Sequence, residues 1–254
     1  MFLVDTHCHL DVADFDVDRE LILQRCTAAG IQQIVVPAID QPGWAKLLRL
    51  CQQHSNLYPA LGLHPVYIDQ HRPEDLRLLE TQIAQTPPLA IGEIGLDFYI
   101  KTLDRERQLE LFEAQLQIAK TADLPVLLHV RKAHDQVLVL LKKYRVRGGI
   151  AHAFNGSEQQ AQQYIDLGFK LGFGGTMTYD GSKKIHQLAK TLPLESIVLE
   201  TDAPDMVVEQ HRGERNSPEY LLDCLTAFAE LRNMSQEDVA QQTTQNARDV
   251  LQLK

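Results

Sequence analysis

This chain is short of the features that mark several protein classes. It has four cysteines in 254 residues, Cys8, Cys26, Cys51 and Cys224, with no Cys-X-X-Cys or Cys-X-X-His spacing. That excludes a disulfide scaffold and fits a reducing cytoplasm. No apolar run approaches membrane-spanning length, and the first residues lack a basic segment leading into a long apolar stretch and cleavage site. The expectation is a soluble cytoplasmic protein with no membrane contact. Positive charge is scarce as well: 25 Lys plus Arg against 34 Asp plus Glu leave a net −9. This argues against affinity drawn from a broad basic surface over nucleic acid. It leaves room for a nuclease with a small cleft charged by a metal or a few local cations. No Gly-rich dinucleotide fingerprint follows the first apolar run, and no low-complexity linker or solenoid-length repeat interrupts the chain.

What the sequence does contain is an alternation of short apolar runs with segments of helical period. The runs read as strands over Phe2 to Asp5, Ile34 to Val36, Leu57 to Leu63, Leu89 to Ile94, Pro125 to Val130, Gly149 to Ala151, Phe169 to Phe173 and Ile197 to Leu199. Helices are expected between them over Asp14 to Ala29, Gln41 to Gln53, Pro73 to Gln85, Asp104 to Ala122, Ala133 to Tyr144, Ser157 to Leu167 and Lys183 to Lys190. Two more, Pro218 to Arg232 and Ser235 to Leu251, finish the chain. Eight such units predict an α/β fold, a single-domain (β/α)8 TIM barrel over residues 1–254. An open doubly wound sheet is the competing arrangement, and it lacks both the fingerprint and a remainder for a second domain.

In a barrel of this kind the C-terminal strand ends gather into one mouth. The polar residues there are His7 and His9, His64, Glu93, His129 and Arg131, His152, and Asp202. Five of the ten histidines sit at strand ends, whereas His54, His71, His134, His186 and His211 fall in helices or loops, where solvated surface is the default, with His134 left open by its closeness to a strand end. Each candidate has a plainer reading: a frayed terminus for His7 and His9, a hydrogen-bonded core histidine for His129, a turn cap for Asp202. All would have to hold at once. Glu93, inside an apolar strand, is costly to bury without a partner.

Four histidines and two acids exceed what one tetrahedral ion needs. Two divalent ions about 4 Å apart use them naturally. The assignment is His7, His9 and Asp202 to one, His129 and His152 to the other, with Glu93 bridging. A water between such ions would titrate near neutrality, and Asp202 is placed to orient it and take its proton. Period-2 geometry also turns Asp5 and Glu200 inward, either with Asp5 orienting a ligand imidazole and Glu200 pairing with an interior cation, or with both satisfied by backbone groups. Arg131 at the rim suits an anionic substrate. Gly174-Gly175-Thr176 follows the seventh strand, a common place for a phosphate loop.

The ordered motifs Asp5-Thr6-His7-Cys8-His9, Gly62-Leu63-His64-Pro65, Gly92-Glu93-Ile94-Gly95-Leu96-Asp97, Pro125 to Arg131, His152-Ala153-Phe154 and Glu200-Thr201-Asp202-Ala203-Pro204 resemble those of the TatD family of metal-dependent hydrolases, in the amidohydrolase-like superfamily. The resemblance spans nearly the whole chain. It implies a distorted (β/α)8 barrel, a two-ion site on His7, His9, Glu93, His129, His152 and Asp202, and phosphate contacts from His64 and Arg131. It further implies deoxyribonuclease activity at 3′ ends. The chain departs from the nuclease pattern at Asp205, where an aromatic residue is common. That ending, with Arg131-Lys132-Ala133-His134-Asp135 and Gly174 to Tyr179, is more similar to the YjjV-type bacterial branch. Tyr99, Tyr179 and Phe154 could replace the missing stacking face, or pack on the rim.

The functional expectation is therefore a metal-dependent hydrolase, a phosphodiesterase or deoxyribonuclease acting on DNA ends or oligonucleotides. The alternatives are hydrolysis of a small amide, lactone or phosphoester by the same site, and metal binding without catalysis. Zn²⁺ or Mn²⁺ suits the histidines, and Mg²⁺ or Mn²⁺ the family's assays. No obligate protein partner is implied, and a monomer is expected.

Overall fold

Parallel strands covered on both faces must be apolar nearly throughout, and the short runs of this chain meet that demand. In a computed structural model, residues 1–253 are described; Lys254, the last residue of the expected domain, lies outside them. The strands are β1 (Leu3–Asp5), β2 (Ile31–Pro37), β3 (Leu57–Leu61), β4 (Ala90–Asp97), β5 (Val126–Arg131), β6 (Gly149–Ala151), β7 (Phe169–Phe173) and β8 (Ile197–Leu199). They pair in parallel in sequence order, forming the expected (β/α)8 barrel. The seam between β8 and β1 closes just past the strands. Thr6 donates from its backbone N–H and its hydroxyl to Leu199 O (3.2 and 3.0 Å), and Asp202 N donates to His7 O (2.8 Å).

The helices are α1 (Arg19–Ala28), α2 (Trp44–Gln53), α3 (Pro73–Gln85), α4 (Arg105–Ala122), α5 (His134–Tyr144), α6 (Glu158–Asp166), α7 (Lys183–Thr191), α8 (Leu221–Arg232) and α9 (Gln236–Leu251). Caps explain several boundaries. Asp104 and Ser235 accept backbone N–H bonds at the starts of α4 and α9, and Ser157 and Gln160 form a reciprocal capping box on α6. Three expected starts are late, that of α8 because Pro218–Tyr220 is a 3-10 turn. Gln41 to Gly43 is a turn, in which Asp40 Oδ1 accepts Gly43 N (2.9 Å). Asp14 to Asp18 is not part of α1: a 3-10 turn at Ala13–Phe15 leads into it, and Arg215 grips Asp18 with both terminal nitrogens (2.7 and 3.1 Å). This loop lines the barrel mouth instead.

Two apolar layers result. Outward residues such as Leu3, Ile34, Val126 and Leu128 pack against helix residues including Phe112, Leu116 and Phe228. Inside, Val4, Val35, Ala60, Ala90, Leu127, Ile150 and Val198 pack with Ala247, Leu251 and Leu253, so the end of α9 plugs the N-terminal end of the barrel.

Candidate metal centre

Alternation carries most of the mouth residues inward. On β5, Leu127 in the barrel interior is followed two and four residues later by His129 and Arg131; on β6 and β8, Ile150 and Val198 lead to His152 and to Glu200 and Asp202. Two strands break the rule. On β4 the register shifts between Ile91 and Ile94, so that inward Ala90 is followed by inward Glu93 and Asp97. On β1, inward Val4 precedes a bend at Thr6, and His7 and His9 then face the mouth. Ala153 (φ 45°), Lys132 (φ 58°) and Asp202 itself (φ 58°) turn through the left-handed region at the strand ends that carry the cluster. Each costs roughly 1–2 kcal/mol, held by the surrounding fold.

All six expected metal residues meet here, with Glu93 at the centre. Its Oε2 lies 3.1 Å from His7 Nε2 and 3.4 Å from His9 Nε2. Its Oε1 lies 3.0 Å from His129 Nδ1 and 3.5 Å from His152 Nε2. Asp202 Oδ1 is 3.7 Å from the Nε2 atoms of both His7 and His9. His64, expected to touch substrate, also reaches this cluster, its Nε2 3.3 Å from Glu93 Oε1 and 3.2 Å from His129 Nδ1. Donor groups fall into His7–His9–Asp202, His7–Glu93–His152 and His64–Glu93–His129. Five imidazoles on one carboxylate exceed its roughly four lone-pair directions. This crowding of nitrogen and oxygen donors, with His7 Nδ1 buried and unpartnered, fits divalent cations better than a hydrogen-bond network.

The residues behind the cluster divide their roles differently from expectation. Glu200 accepts from the backbone N–H of Ala153 (2.5 Å) and lies 3.2 Å from His152 Nδ1, so it is the acid that orients the His152 imidazole. Asp5 does not. Its carboxylate accepts from His7 N (3.1 Å), Thr201 N (3.1 Å) and the Thr201 hydroxyl (2.6 Å), pinning the β1–β8 seam, because the bend at Thr6 breaks the alternation. Asp97, at the end of the Gly92 to Asp97 segment, lies 3.1 Å from His129 Nε2. Gln108 and Gln115 of α4, fully buried, bond both backbone groups of Asp97 and Leu63 respectively, fixing the ends of β4 and the loop after β3. Their spacing of seven on the face that carries Phe112 and Leu116 was the readable signal. His71 is buried rather than solvated, its Nε2 2.8 Å from His64 O. His134 is buried too.

Electrostatics follow from burial set against neighbours. Burial drives His7 down to about 3 and His64 to about 4, more than Glu93 can offset. Burial opposes charge on His9 and His152 as well, but Glu93 and Asp202 bring His9 up to about 9, and Asp202, Glu200 and Glu93 bring His152 to about 10. Glu93 is held well below the usual carboxylate range because His64, His7 and His152 outweigh its desolvation. Burial pushes Asp202 up to about 6.

Above the cluster opens a cavity of about 660 Å³. Arg131 lines it with its guanidinium 3.9 Å above the Tyr99 ring, while Asp14 and Asp205 line it as acids. Of the aromatics considered for stacking, Phe154 is buried and the Tyr179 hydroxyl is tied to Val207 O (2.9 Å); Tyr67, overlooked in the sequence, lines the cavity. Gly174 and Gly175 are not among the residues that line this cavity. A Cβ on Gly175 would meet Met206 O at 2.0 Å and one on Gly174 would meet Glu200 O at 2.9 Å, so both serve close backbone packing.

The chain matches the TatD related DNase family over residues 4–252. It is 41% identical over 246 residues to the uncharacterized metal-dependent hydrolase YjjV of Escherichia coli (strain K12), covering 96% of this chain and 95% of that protein. To the uncharacterized metal-dependent hydrolase YabD of Bacillus subtilis (strain 168) it is 34% identical over 253 residues, 99% of each. The crystal structure of the E. coli YjjV protein, a TatD homolog, matches with a TM-score of 0.96 at 39% identity, over 99% of this chain and 98% of that one. With nearly its full length aligned and its barrel superposed from end to end, this chain belongs to the TatD related DNase family.

Proposed function

We propose that this protein is a metal-dependent hydrolase, a phosphodiesterase that acts on DNA 3′ ends or oligonucleotides. The observation that carries the reading is the convergence of five imidazoles on the two oxygens of Glu93, with Asp202 beside them, at the floor of an open cavity. In this reading His7, His9 and Asp202 hold one divalent ion, His129 and His152 a second, and Glu93 lies between. Bound there, such ions supply Lewis-acid polarisation of a phosphoryl oxygen and bring a water molecule's pKa toward neutrality. Asp202 lines the cavity with its side chain 15% exposed, and its carboxylate would accept a proton from a water held there. Arg131, its guanidinium carbon 3.9 Å from the Tyr99 ring centre, offers N–H groups to a phosphate, and His64 is near enough to the cluster to share that contact. The four free cysteines are consistent with work in the cytoplasm. Zinc, manganese and magnesium all suit this donor set, and the protein acts as a monomer in this proposal.

The test is release of mononucleotides from single-stranded DNA with added Mg²⁺ or Mn²⁺, abolished by Asp202→Asn. One observation favours a second reading: Asp14 and Asp205 would repel an extended phosphate backbone, which suits a small amide, lactone or phosphoester. Turnover confined to a small chromogenic ester or lactone would select it, and metal uptake with no turnover of either kind would leave a binding protein.

A further inference from the structure

Two buried histidines, His71 and His134, lie outside the groups of possible metal donors. His134, at the start of α5, is 8% exposed and has a partner on each ring nitrogen: Tyr164 Oη 3.2 Å from Nδ1 and Asn155 Oδ1 3.3 Å from Nε2. Tyr164 is fully buried among His134, Phe154 and Phe169, and His134 is the only hydrogen-bond partner of its hydroxyl among the described residues. A buried phenol keeps its proton and must donate it, and burial does push this phenol's pKa up. Nδ1 of His134 therefore accepts. Burial also lowers the pKa of His134, so the ring is neutral and its single proton is on Nε2. That proton goes to Asn155 Oδ1. With its oxygen taken, Asn155 must turn its amide nitrogen the other way, where one N–H donates to Ala153 O (3.1 Å). Lys184 Nζ holds the Asn155 backbone carbonyl (2.5 Å). The remaining amide N–H has no protein partner among the described residues, and Asn155 lines the cavity beside His152 and Ala153.

We propose that Asn155 is a substrate-contact residue, offering a neutral N–H to an oxyanion of the substrate, with Tyr164 and His134 as positioning residues that fix which way its carboxamide faces. The inference rests on the phosphoester reading above for the identity of the oxyanion. Without the two positioning residues the amide could rotate and present its carbonyl oxygen, which repels an anion. A fixed neutral donor adds a directed contact beside Arg131, which lines the same cavity.

The test uses zinc-loaded protein with inorganic phosphate as the probe, and zinc content measured for every variant. Asn155→Ala and Asn155→Asp should each weaken phosphate binding by about tenfold or more, as loss of one hydrogen bond to a charged group implies. Tyr164→Phe should weaken it by less, and should add nothing when combined with Asn155→Ala. Long-range ¹H–¹⁵N correlation in the unmutated protein should find the His134 proton on Nε2. Phosphate binding absent from the unmutated protein or unchanged in Asn155→Ala, or a His134 proton on Nδ1, overturns the proposal. If Tyr164→Phe fails to fold, the His134 spectrum and the Asn155 variants still decide it. Failure of the nuclease reading looks different: no nucleotide is released from DNA, yet phosphate binding still depends on Asn155.

Discussion

The two ends of this barrel are made from the same eight strands and bury opposite things. At the N-terminal end the interior is Val, Ala, Leu and Ile, sealed by Ala247, Leu251 and Leu253. At the C-terminal end, two to four residues further along, it is imidazole and carboxylate, open to a cavity of about 660 Å³. The dry end gains stability from apolar burial; the wet end has charge crowded together and backbone held in the left-handed region at Lys132, Ala153 and Asp202. One plug of hydrocarbon thus supports a site that would not stabilise itself, a division that barrels allow because loops and floor can vary separately.

Substitutions should separate the two ends. The largest effect is expected at the mouth: Asp202→Asn should lower the hydrolytic rate by roughly 10²–10⁴ while leaving thermal unfolding close to unchanged. Leu251→Ala should do the reverse. It should cost about 2–5 kcal/mol in denaturant unfolding, with zinc affinity per folded molecule unaltered; a loss of affinity would show that the ends are coupled.

Glu200→Gln lies between them. It keeps shape and burial but weakens the hold on His152, so zinc affinity should drop about 10–100-fold by competition with a chelator. Equal affinity would remove Glu200 from the account.

The smallest effect is in protons. In the metal-free protein His9 and His152, at about 9 and 10, carry protons at pH 7 that a cation must displace. Zinc binding at pH 7 should release protons, seen as a dependence of the calorimetric heat on buffer ionisation, and affinity should climb as pH rises toward 10. The stability of the metal-free protein should run the other way. Folded pKa values raised above about 6.5 stabilise fully below that pH, and the contribution is lost as pH climbs through 9 and 10. A metal-free protein that gained stability across that window would contradict this assignment.

Much of this architecture was readable because its signals are local. Strands β6, β7 and β8 and helix α3 begin and end where apolar runs, glycines and Pro73 place them. The inward positions of His129, His152 and Glu200 follow from counting by two on strands whose alternation is unbroken. The same count misassigned Asp5, because a bend at Thr6 cannot be seen in an apolar run, and it gave no hint that β4 changes phase before Glu93. Gln108, Gln115 and His71 were passed over for another reason. Their work is to bond backbone groups at or just past strand ends, and polar residues on a helix or loop look solvated until the barrel closes over them.

The central claim is that the barrel mouth holds a pair of divalent ions with Glu93 between them. Anomalous diffraction from crystals soaked in manganese measures this directly. The account predicts two peaks, one among His7, His9 and Asp202 and one against His129 and His152, each within ligand distance of a Glu93 oxygen. An empty map at Glu93, or a peak bound only by surface acids, would contradict it.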